Sequence, residues 1–447
     1  MLATLLLHSR ATITNQICAC ARAHLDWSSD YRLYSCGHVE PRLLFGEVLA
    51  QIHQRLGAQK PLVVAIDDTL IRKTGTHIDG VGWKRDPTGP KFQTNLVRAQ
   101  RYLQLSAAWP LLTGQARLLP IEFTHCPSAP KAPKNATPGQ KRAAKEEQKQ
   151  RNLNQVAQNS IKQLRAAMPP GRKLVICGDG GYTNATIIKN LPANTAYIGR
   201  IRRDAVLHHP LPGKAPANEQ APANGRPRLY GEEAPGPEAL RQDQQKPWRA
   251  INAYAAGKHH DFKIKTTGPL LWRKTGASIP LRVMVIAPLG YRLRKGSKLL
   301  YRQAAYLICT DETMSDEEYL QNYLWRWGIE MNFRDEKELV GVGDAQVRTP
   351  ESNRNAPACA VAAYALLWLA ALSGAQAKQE ALPVPKWRKP KKAEEMGTGD
   401  LLRILRYEQW AGQIEEQSLC HFKTAPPQEA SSHKPQTSLA HAILTTA

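Results

Sequence analysis

The sequence predicts an α/β protein whose mixed sheet is covered by helices, and the order of its apolar runs carries this prediction. Up to residue 203 the patterns follow the order β-β-β-α-β-α-β. Two of these strands, Leu62–Ile66 (LVVAI) and Lys173–Cys177 (KLVIC), are apolar at nearly every position, as strands buried on both faces are. A meander of three strands followed by an α/β half favours a sheet with both parallel and antiparallel pairs.

The remaining elements follow from their periodicity and from the turn residues between them. Further strands are predicted at Tyr102–Trp109, Ala116–Phe123, Ala196–Arg200, Asp261–Thr267, Leu281–Ala287 and Ala304–Cys309. Helices are predicted at Glu47–Leu56, Lys141–Met168, Thr183–Asn190, Asp316–Lys337, Ala358–Leu372 and Asp400–Trp410.

These elements divide the chain into five regions. They are a short helical N-terminal region (1–60), the first part of the core (61–203), an irregular and then β-rich insertion (204–312), the second part of the core (313–375) and a C-terminal region (376–447). The C-terminal region holds a basic linker at Pro383–Lys392, the short helix, and a polar tail from Thr424 that is predicted to be disordered.

Lys and Arg together number 61 against 38 Asp and Glu among 447 residues, a net charge of +23. So large an excess indicates a polyanionic partner or an anionic membrane. The long apolar run Ala358–Leu372 is shorter than the ~20 residues of a membrane span, so a buried helix and no membrane association are expected. Eight irregularly spaced cysteines are typical of reduced thiols in a cytosolic protein. Cys18, Cys20, Cys36 and His38 are an alternative zinc set, although their spacing fits no standard site.

Carboxylates follow both apolar strands. The motif DDT, with Asp67 and Asp68, comes directly after the first strand, and GDGG, with Asp179, comes after the second. The carboxyl ends of buried strands are where sites usually form, and the glycines allow a ligand or another chain to approach Asp179. A helix cap or a turn is the alternative interpretation of the Asp-Asp pair.

The predicted helix Asp316–Lys337 carries a polar stripe. The stripe consists of Tyr323, Arg326, Glu330 and Lys337, which return to one side of a helix at about 100° per residue. An apolar flank consists of Leu320, Leu324, Trp327 and Met331. A solvated face with ordinary ion pairs is the alternative interpretation of the stripe.

The segment Leu70–Arg101 is basic and punctuated by Gly and Pro, which predicts a loop rather than core. It contains the cations Arg72, Lys73, Lys84, Arg85 and Lys91 and the aromatic residues Trp83 and Phe92. Cations interleaved with aromatic rings suit a nucleic-acid strand, and the helix Lys141–Met168 is basic as well. An ordinary flexible loop is the alternative.

Asp68, Asp179 and Glu330 are therefore predicted to lie on two strand ends and one helix. Oxygen ligands of this kind are the ones that Mg²⁺ prefers. A pair of such ions can activate a water or a 3′-hydroxyl and stabilise the leaving oxygen, so no nucleophilic side chain is needed.

The spacing around Glu330 resembles the YREK signature of bacterial insertion-sequence transposases of the DDE class. That signature is Tyr, two residues, Arg, three residues, Glu, six residues and Lys. Tyr323, Arg326, Glu330 and Lys337 keep every spacing. The motifs DDT and GDG are similar to the two Asp motifs of the same family, and the resemblance covers roughly residues 60–375.

The resemblance implies an RNase H-like catalytic core with a β-rich insertion before the helix of the catalytic Glu. Asp68, Asp179 and Glu330 would be the catalytic triad and would hold two Mg²⁺ ions, with Mn²⁺ as a substitute. Asp67 is the alternative to Asp68 as the first ligand of the triad. Asp68 is preferred because the family's residue directly precedes the Thr.

The resemblance also implies that the partner is double-stranded DNA, both as transposon ends and as target. Tyr323, Arg326 and Lys337 would contact phosphates near the scissile end. In this branch an aromatic residue stacks on a flipped base, and the candidates are Trp272, Trp325 and Trp327. Trp325 is predicted to bind DNA in this way, and core packing is the alternative for each of the three. A homodimer assembled on DNA and a cytoplasmic, nucleoid-associated location are expected.

The expected activity is metal-dependent cleavage at element ends followed by strand transfer into target DNA. Two alternatives are an RNase H-like nuclease that hydrolyses without joining, and a non-catalytic DNA-binding protein derived from a transposase. The presence of all three carboxylates argues against the second alternative.

Overall fold

The computed structural model of the chain describes residues 1–20, 22–57, 59–75, 77–86, 89–90, 92, 95–211, 229–292, 294, 296–374 and 395–416. The basic linker at Pro383–Lys392, the tail from Thr424, and Lys91 of the basic segment lie outside the described residues.

The described residues form α-helices and β-strands, mostly in runs of several elements of one kind. The helices are α1 (Leu2–Leu6), α2 (Ile13–Ala19), α3 (Ser28–Arg32), α4 (Pro41–Leu56), α5 (Pro138–Gln150), α6 (Leu153–Ala167), α7 (Ala185–Ile188), α8 (Pro237–Gln242), α9 (Asp316–Trp325), α10 (Gly328–Glu338), α11 (Pro350–Gly374) and α12 (Thr398–Glu416). The strands are β1 (Leu62–Arg72), β2 (Gly82–Arg85), β3 (Leu96–Pro110), β4 (Ala116–His125), β5 (Leu174–Gly178), β6 (Thr195–Arg200), β7 (Leu207–His208), β8 (Glu233–Ala234), β9 (Arg249–Ala255), β10 (Lys258–Trp272), β11 (Gly276–Ile286), β12 (Gly290–Tyr291), β13 (Leu300–Tyr301) and β14 (Ala305–Cys309).

Most of these strands belong to one sheet. Its order is β2-β3-β1-β5-β6-β14-β11-β10-β7-β8, with β4 paired to β3 and β9 paired to β10. The pairs β1–β5 and β5–β6 are parallel, whereas β3 and β14 run antiparallel to their neighbours. The predicted mixed sheet is therefore confirmed. Beyond β6 the sheet continues through β14 to β11, β10, β7 and β8, whereas β12 and β13 pair with each other in a separate two-stranded sheet.

Different helices cover the two faces of β1, because its side chains alternate between them. Leu62, Val64 and Ile66 pack in a cluster with α4, α6 and α11. Val63 and Ala65 pack in a second cluster with α9 and α10. The face of β1 that a side chain occupies thus decides which helices it can meet.

The Ala-rich helix predicted at Ala358–Leu372 is the central part of α11, which begins before Pro357. A proline inside a helix frees the carbonyl four residues earlier, and here the Tyr102 hydroxyl donates to the freed Asn353 oxygen at 2.8 Å. By length and composition α11 could cross a membrane, but 72% of its most apolar window is buried inside the protein. The expectation of a buried helix agrees with this packing.

Two predicted boundaries are wrong for identifiable reasons. Strand β1 does not stop at Asp67 but continues to Arg72, because β3 pairs with it along this whole length. The helix predicted at Lys141–Met168 is divided into α5 and α6. Asn152 begins α6 as its N-cap, with its side chain accepting a hydrogen bond from the Asn154 amide at 2.9 Å.

Glu336 of α10 is a buried carboxyl, with 1% of its surface exposed. The Gln104 amide donates to it at 3.0 Å. Burial raises the pKa of Glu336 to about 8, against the opposing effects of the Gln104 hydrogen bond and the Lys337 charge. The folded protein therefore keeps a proton that the unfolded chain releases above its ordinary pKa of 4.5.

We expect Glu336 to make the protein less stable as the pH rises from 4.5 to about 8. Within this window the free energy of unfolding should fall by about 1.4 kcal/mol per pH unit from this group alone. Glu336→Gln should remove that contribution, so the free energy of unfolding of the variant should increase relative to that of the wild type as the pH rises. Denaturant unfolding at several pH values measures the difference. The matched control is Glu338→Gln, at an exposed position nearby, whose stability should depend on pH as that of the wild type does. If the stability of Glu336→Gln also changed with pH in parallel with the wild type, the prediction would be contradicted.

Candidate active site

Three adjacent parallel strands, β1, β5 and β6, carry or directly precede a charged residue along one row of the sheet. In the register of the sheet, Ala65 pairs with Cys177 and Cys177 with Ile198, and all three lie in the cluster under α9 and α10. Two residues further along are Asp67 and Arg200, which the alternation of β1 and β6 puts on this same face, and Asp179, the first residue after β5. This row forms one wall of the candidate site.

Asp67 is held by an arginine of the helix that covers it. Nη1 of Arg326 lies 3.1 Å from Asp67 Oδ2. Burial raises the pKa of Asp67 to about 7; the charge of Arg326 opposes this rise, and the nearby negative charge of Asp179 adds to it. Asp67 and Asp179 are thus close enough to repel each other, as expected for neighbours at one sheet edge.

Asp68 points to the other face of β1. Its carboxylate lies 3.2 Å from Arg101 Nε and accepts a hydrogen bond from the Tyr182 hydroxyl at 2.8 Å. Burial raises the pKa of Asp68; Arg101 and Tyr182 oppose this rise, and the negative charge of Asp179 adds to it. Because Asp68 faces away from α9 and α10, Asp67 is the member of the pair whose carboxylate contacts Arg326.

Asp179 sits in the turn that follows β5, as its motif predicts. Its Oδ1 accepts hydrogen bonds from the amides of Gly181, at 2.7 Å, and Tyr182, at 3.3 Å. The same Tyr182 holds Asp68 through its hydroxyl. Tyr182 therefore ties the Asp179 turn to β1 from the far face of the sheet.

The helix predicted at Asp316–Lys337 is not continuous: α9 ends at Trp325 and α10 begins at Gly328. At the junction the hydrogen bonds join residues three apart, as between the Arg326 amide and the Tyr323 carbonyl at 3.1 Å. Such a tight turn has three residues per turn instead of 3.6. It directs Arg326 inward and leaves Trp327 exposed, so the predicted apolar flank is wrong at Trp327 and also at the exposed Met331.

Arg326 joins the two halves of the site. Its Nη1 contacts Asp67, and its Nη2 lies 3.0 Å from Glu330 Oε1. Only 9% of the Arg326 side chain is exposed, so the interpretation as a solvated face is wrong for this residue. Tyr323 is half-buried beside it, with the Arg326 guanidinium 5.8 Å from the ring centre.

Lys337 lies apart from these contacts, exposed at the end of α10, with its Nζ 6.0 Å from the Phe333 ring centre. Burial of part of its side chain lowers the pKa of Lys337, and the charges of Arg72 and Asp86 also act on it. The basic segment therefore reaches the outer end of the candidate site.

The basic segment folds partly onto the protein. Nζ of Lys73 donates to the carbonyl of Ala345 at 3.1 Å and also to that of Gly343. Lys84 contacts Ser128, and Arg72 pairs with Asp86 at 2.7 Å while most of its side chain stays exposed. Lys73 thus has a structural task.

The predicted aromatic contacts of this segment, together with Arg85, face solvent. Arg85 is exposed on β2, and its neighbour Trp83 is 67% exposed. Phe92 is exposed as well. These side chains are free to meet a partner.

The three candidate tryptophans have different surroundings. Trp272 is buried in the core. The Trp325 indole donates to the Gly114 carbonyl at 3.0 Å and packs against the cluster under α9. Trp327 is 55% exposed next to Arg326. Among these three, the exposed ring that can stack is that of Trp327.

The donor set of the site is made of carboxylate oxygens, which is the chemistry that hard divalent cations require. Asp67 and Asp179 supply it from adjacent strands, and Glu330 from α10 is tethered to Asp67 through Arg326. In the part of the chain that the structure describes, no three His, Cys, Asp or Glu side chains are grouped closely enough to hold a metal ion. The zinc set at Cys18, Cys20, Cys36 and His38 likewise forms no such group.

Comparison with known proteins bears on the segment that carries both Asp motifs. Residues 5–273 match the family described as DDE superfamily endonuclease, and this match ends before α9 begins. No protein of curated function matches the chain. Enzymes of this superfamily generally use divalent metals, and membership implies DNA as the substrate. Because the match spans more than half of the chain and includes Asp67, Asp68 and Asp179, the protein belongs to the DDE superfamily endonuclease family.

Proposed function

We propose that this chain is an insertion-sequence DNA transposase of the YREK branch, which cleaves at element ends and transfers the strand into target DNA. The observation that carries the proposal is the bridge from Asp67 through Arg326 to Glu330, beside Asp179. It brings a residue of the YREK spacing against an Asp motif of the DDE family. The strand order β4-β3-β1-β5-β6, with β1, β5 and β6 parallel, supports an RNase H-like core.

Asp67, Asp179 and Glu330 are the proposed metal ligands, and Mg²⁺ is the proposed ion, with Mn²⁺ as a substitute. Bound there, the metal would activate a water or a 3′-hydroxyl and stabilise the leaving oxygen. The task of Arg326 is to hold Asp67 and Glu330 within reach of one another. Lys337 and the Tyr323 hydroxyl are the proposed phosphate contacts, and both lie on the path through α9 and α10 that carries Glu330.

The exposed cations Arg72 and Arg85, with Trp83, extend this surface toward duplex DNA. Two copies of the chain, each holding one transposon end, form the proposed assembly in the cytoplasm. The second candidate is a nuclease that hydrolyses without joining, and the family's description as endonucleases favours it. An assay with labelled ends separates the two, because only the transposase forms joined products.

The neighbours Asp67 and Asp68 provide a matched test of the site. Asp67→Asn, Asp179→Asn and Glu330→Gln should each slow cleavage by about 10²–10³-fold, because each removes a preorganised charge at the reacting centre. Asp68→Asn should stay within about tenfold of the wild type, since its main partners are Arg101 and Tyr182. Single-turnover cleavage of a pre-bound transposon-end duplex with Mg²⁺ measures these rates. Loss of cleavage in Asp68→Asn together with normal rates in Asp67→Asn would show that Asp68, and not Asp67, is the first metal-binding carboxylate.

We also propose that Trp327, and not Trp325, stacks on a base at the transposon end. Trp327→Ala should slow cleavage by about tenfold or more, since stacking contributes about 1–3 kcal/mol per base, and should leave the melting temperature unchanged. Trp327→Phe should recover most of the rate. Trp325→Ala should lower the melting temperature instead, because that partly buried side chain packs against the cluster under α9 and donates to the Gly114 carbonyl. Normal cleavage by Trp327→Ala would exclude the stacking role.

A further inference from the structure

Arg200 stands in line with the two aspartates. Gly178 pairs with Gly199 and Ile66 with Gly178, so the next residues, Asp67 within β1, Asp179 directly after β5 and Arg200 at the end of β6, follow one another across the sheet. Neighbouring strands lie about 4.8 Å apart, which puts the Arg200 backbone about 5 Å beyond that of Asp179. The alternation that packs Ile198 under α9 directs Arg200 to the same face.

The guanidinium of Arg200 is exposed and makes no hydrogen bond or ion pair with the residues described. Burial raises the pKa of Tyr323, and the charges of Arg326 and Arg200 oppose this rise, which places Arg200 near the Tyr323 hydroxyl. Arg202 differs: it is paired with Asp204 through two hydrogen bonds of 2.8 and 2.7 Å. The unpaired charge at the edge of the site is therefore that of Arg200.

Cations thus lie on both sides of the carboxylates. Lys337 and Arg72 mark one side, at the outer ends of α10 and β1, and Arg200 marks the other, beside Tyr323. A DNA strand that passes over the carboxylates would meet positive charge both before and after the cleaved bond.

Resting on the proposed function, we propose that Arg200 binds a phosphate next to the scissile phosphate, on the side opposite Lys337, and positions the strand for cleavage. An arginine suits this task because its planar fork binds a phosphate through two parallel hydrogen bonds. Its sequence signal is that β6 ends in Arg where the adjacent parallel strands lead into Asp.

The test combines three variants with chemically altered DNA. Arg200→Gln removes the charge, Arg200→Lys keeps it without the fork, and Arg202→Gln removes an equal charge two residues away. Each protein binds transposon-end duplexes in which single phosphates are replaced, one position at a time, by uncharged methylphosphonate. Affinity over a range of salt and single-turnover cleavage with Mg²⁺ are measured.

At one position next to the cleavage site, methylphosphonate should weaken binding by the wild type and by Arg202→Gln but not by Arg200→Gln. Arg200→Gln should lose about one unit of salt slope, as for one phosphate contact, and should cleave at least tenfold more slowly at saturating DNA. Arg200→Lys should recover the slope and part of the rate. Equal losses at every position for Arg200→Gln and the wild type would overturn the inference, because no phosphate would then depend on Arg200. The binding comparison decides this even if the wild type fails to cleave, an outcome that would instead overturn the proposed function.

Discussion

The arrangement of the site depends on Arg326, which is buried between two carboxylates. Isolated, a buried guanidinium or carboxylate would cost several kcal/mol in lost hydration. Here the charge of Arg326 is met by Asp67 at 3.1 Å and by Glu330 at 3.0 Å. Compensation is incomplete, since burial and Asp179 still raise the pKa of Asp67 to about 7. A cation bound beside Asp67 and Asp179 would lower the pKa of Asp67 and favour the ionised forms of both carboxyls.

Much of the fold follows from the sequence, because apolar runs and turn residues act locally. The buried cores of β1 and β5 and the mixed order of the sheet were predictable from LVVAI and KLVIC. The end of β1 was not predictable from the sequence, because an acidic pair normally interrupts a strand. Only the pairing with β3 extends β1 to Arg72. That extension decides the site: in a regular strand Asp67 and Asp68 must face opposite sides, and in a turn they need not.

The break between α9 and α10 shows the same limit for helices. A uniform period of 3.6 predicts Trp327 on an apolar flank, whereas the tight junction turns it outward. Gly328 marks the place: a Cβ there would lie 2.9 Å from Leu118 Cγ, so α10 can approach β4 closely only with glycine at this position. Pro357 is a parallel case, since a distant hydroxyl on Tyr102 satisfies the carbonyl that it frees. Tertiary contacts override both local signals.

The extension of the sheet beyond β6 also contributes to the position of Glu330. Asp316, at the start of α9, is buried and pairs with Arg249 of β9 at 2.5 Å and with Arg282 of β11. Its negative charge is also favourable at a helix N-terminus, where Ser315 and Glu318 form a capping box. The strands that enter the sheet after β6 therefore hold the beginning of the helical path whose later turn carries Glu330. Since β1 and β5 hold the aspartates in the same sheet, one continuous set of strand pairings sets the separation of the acidic residues.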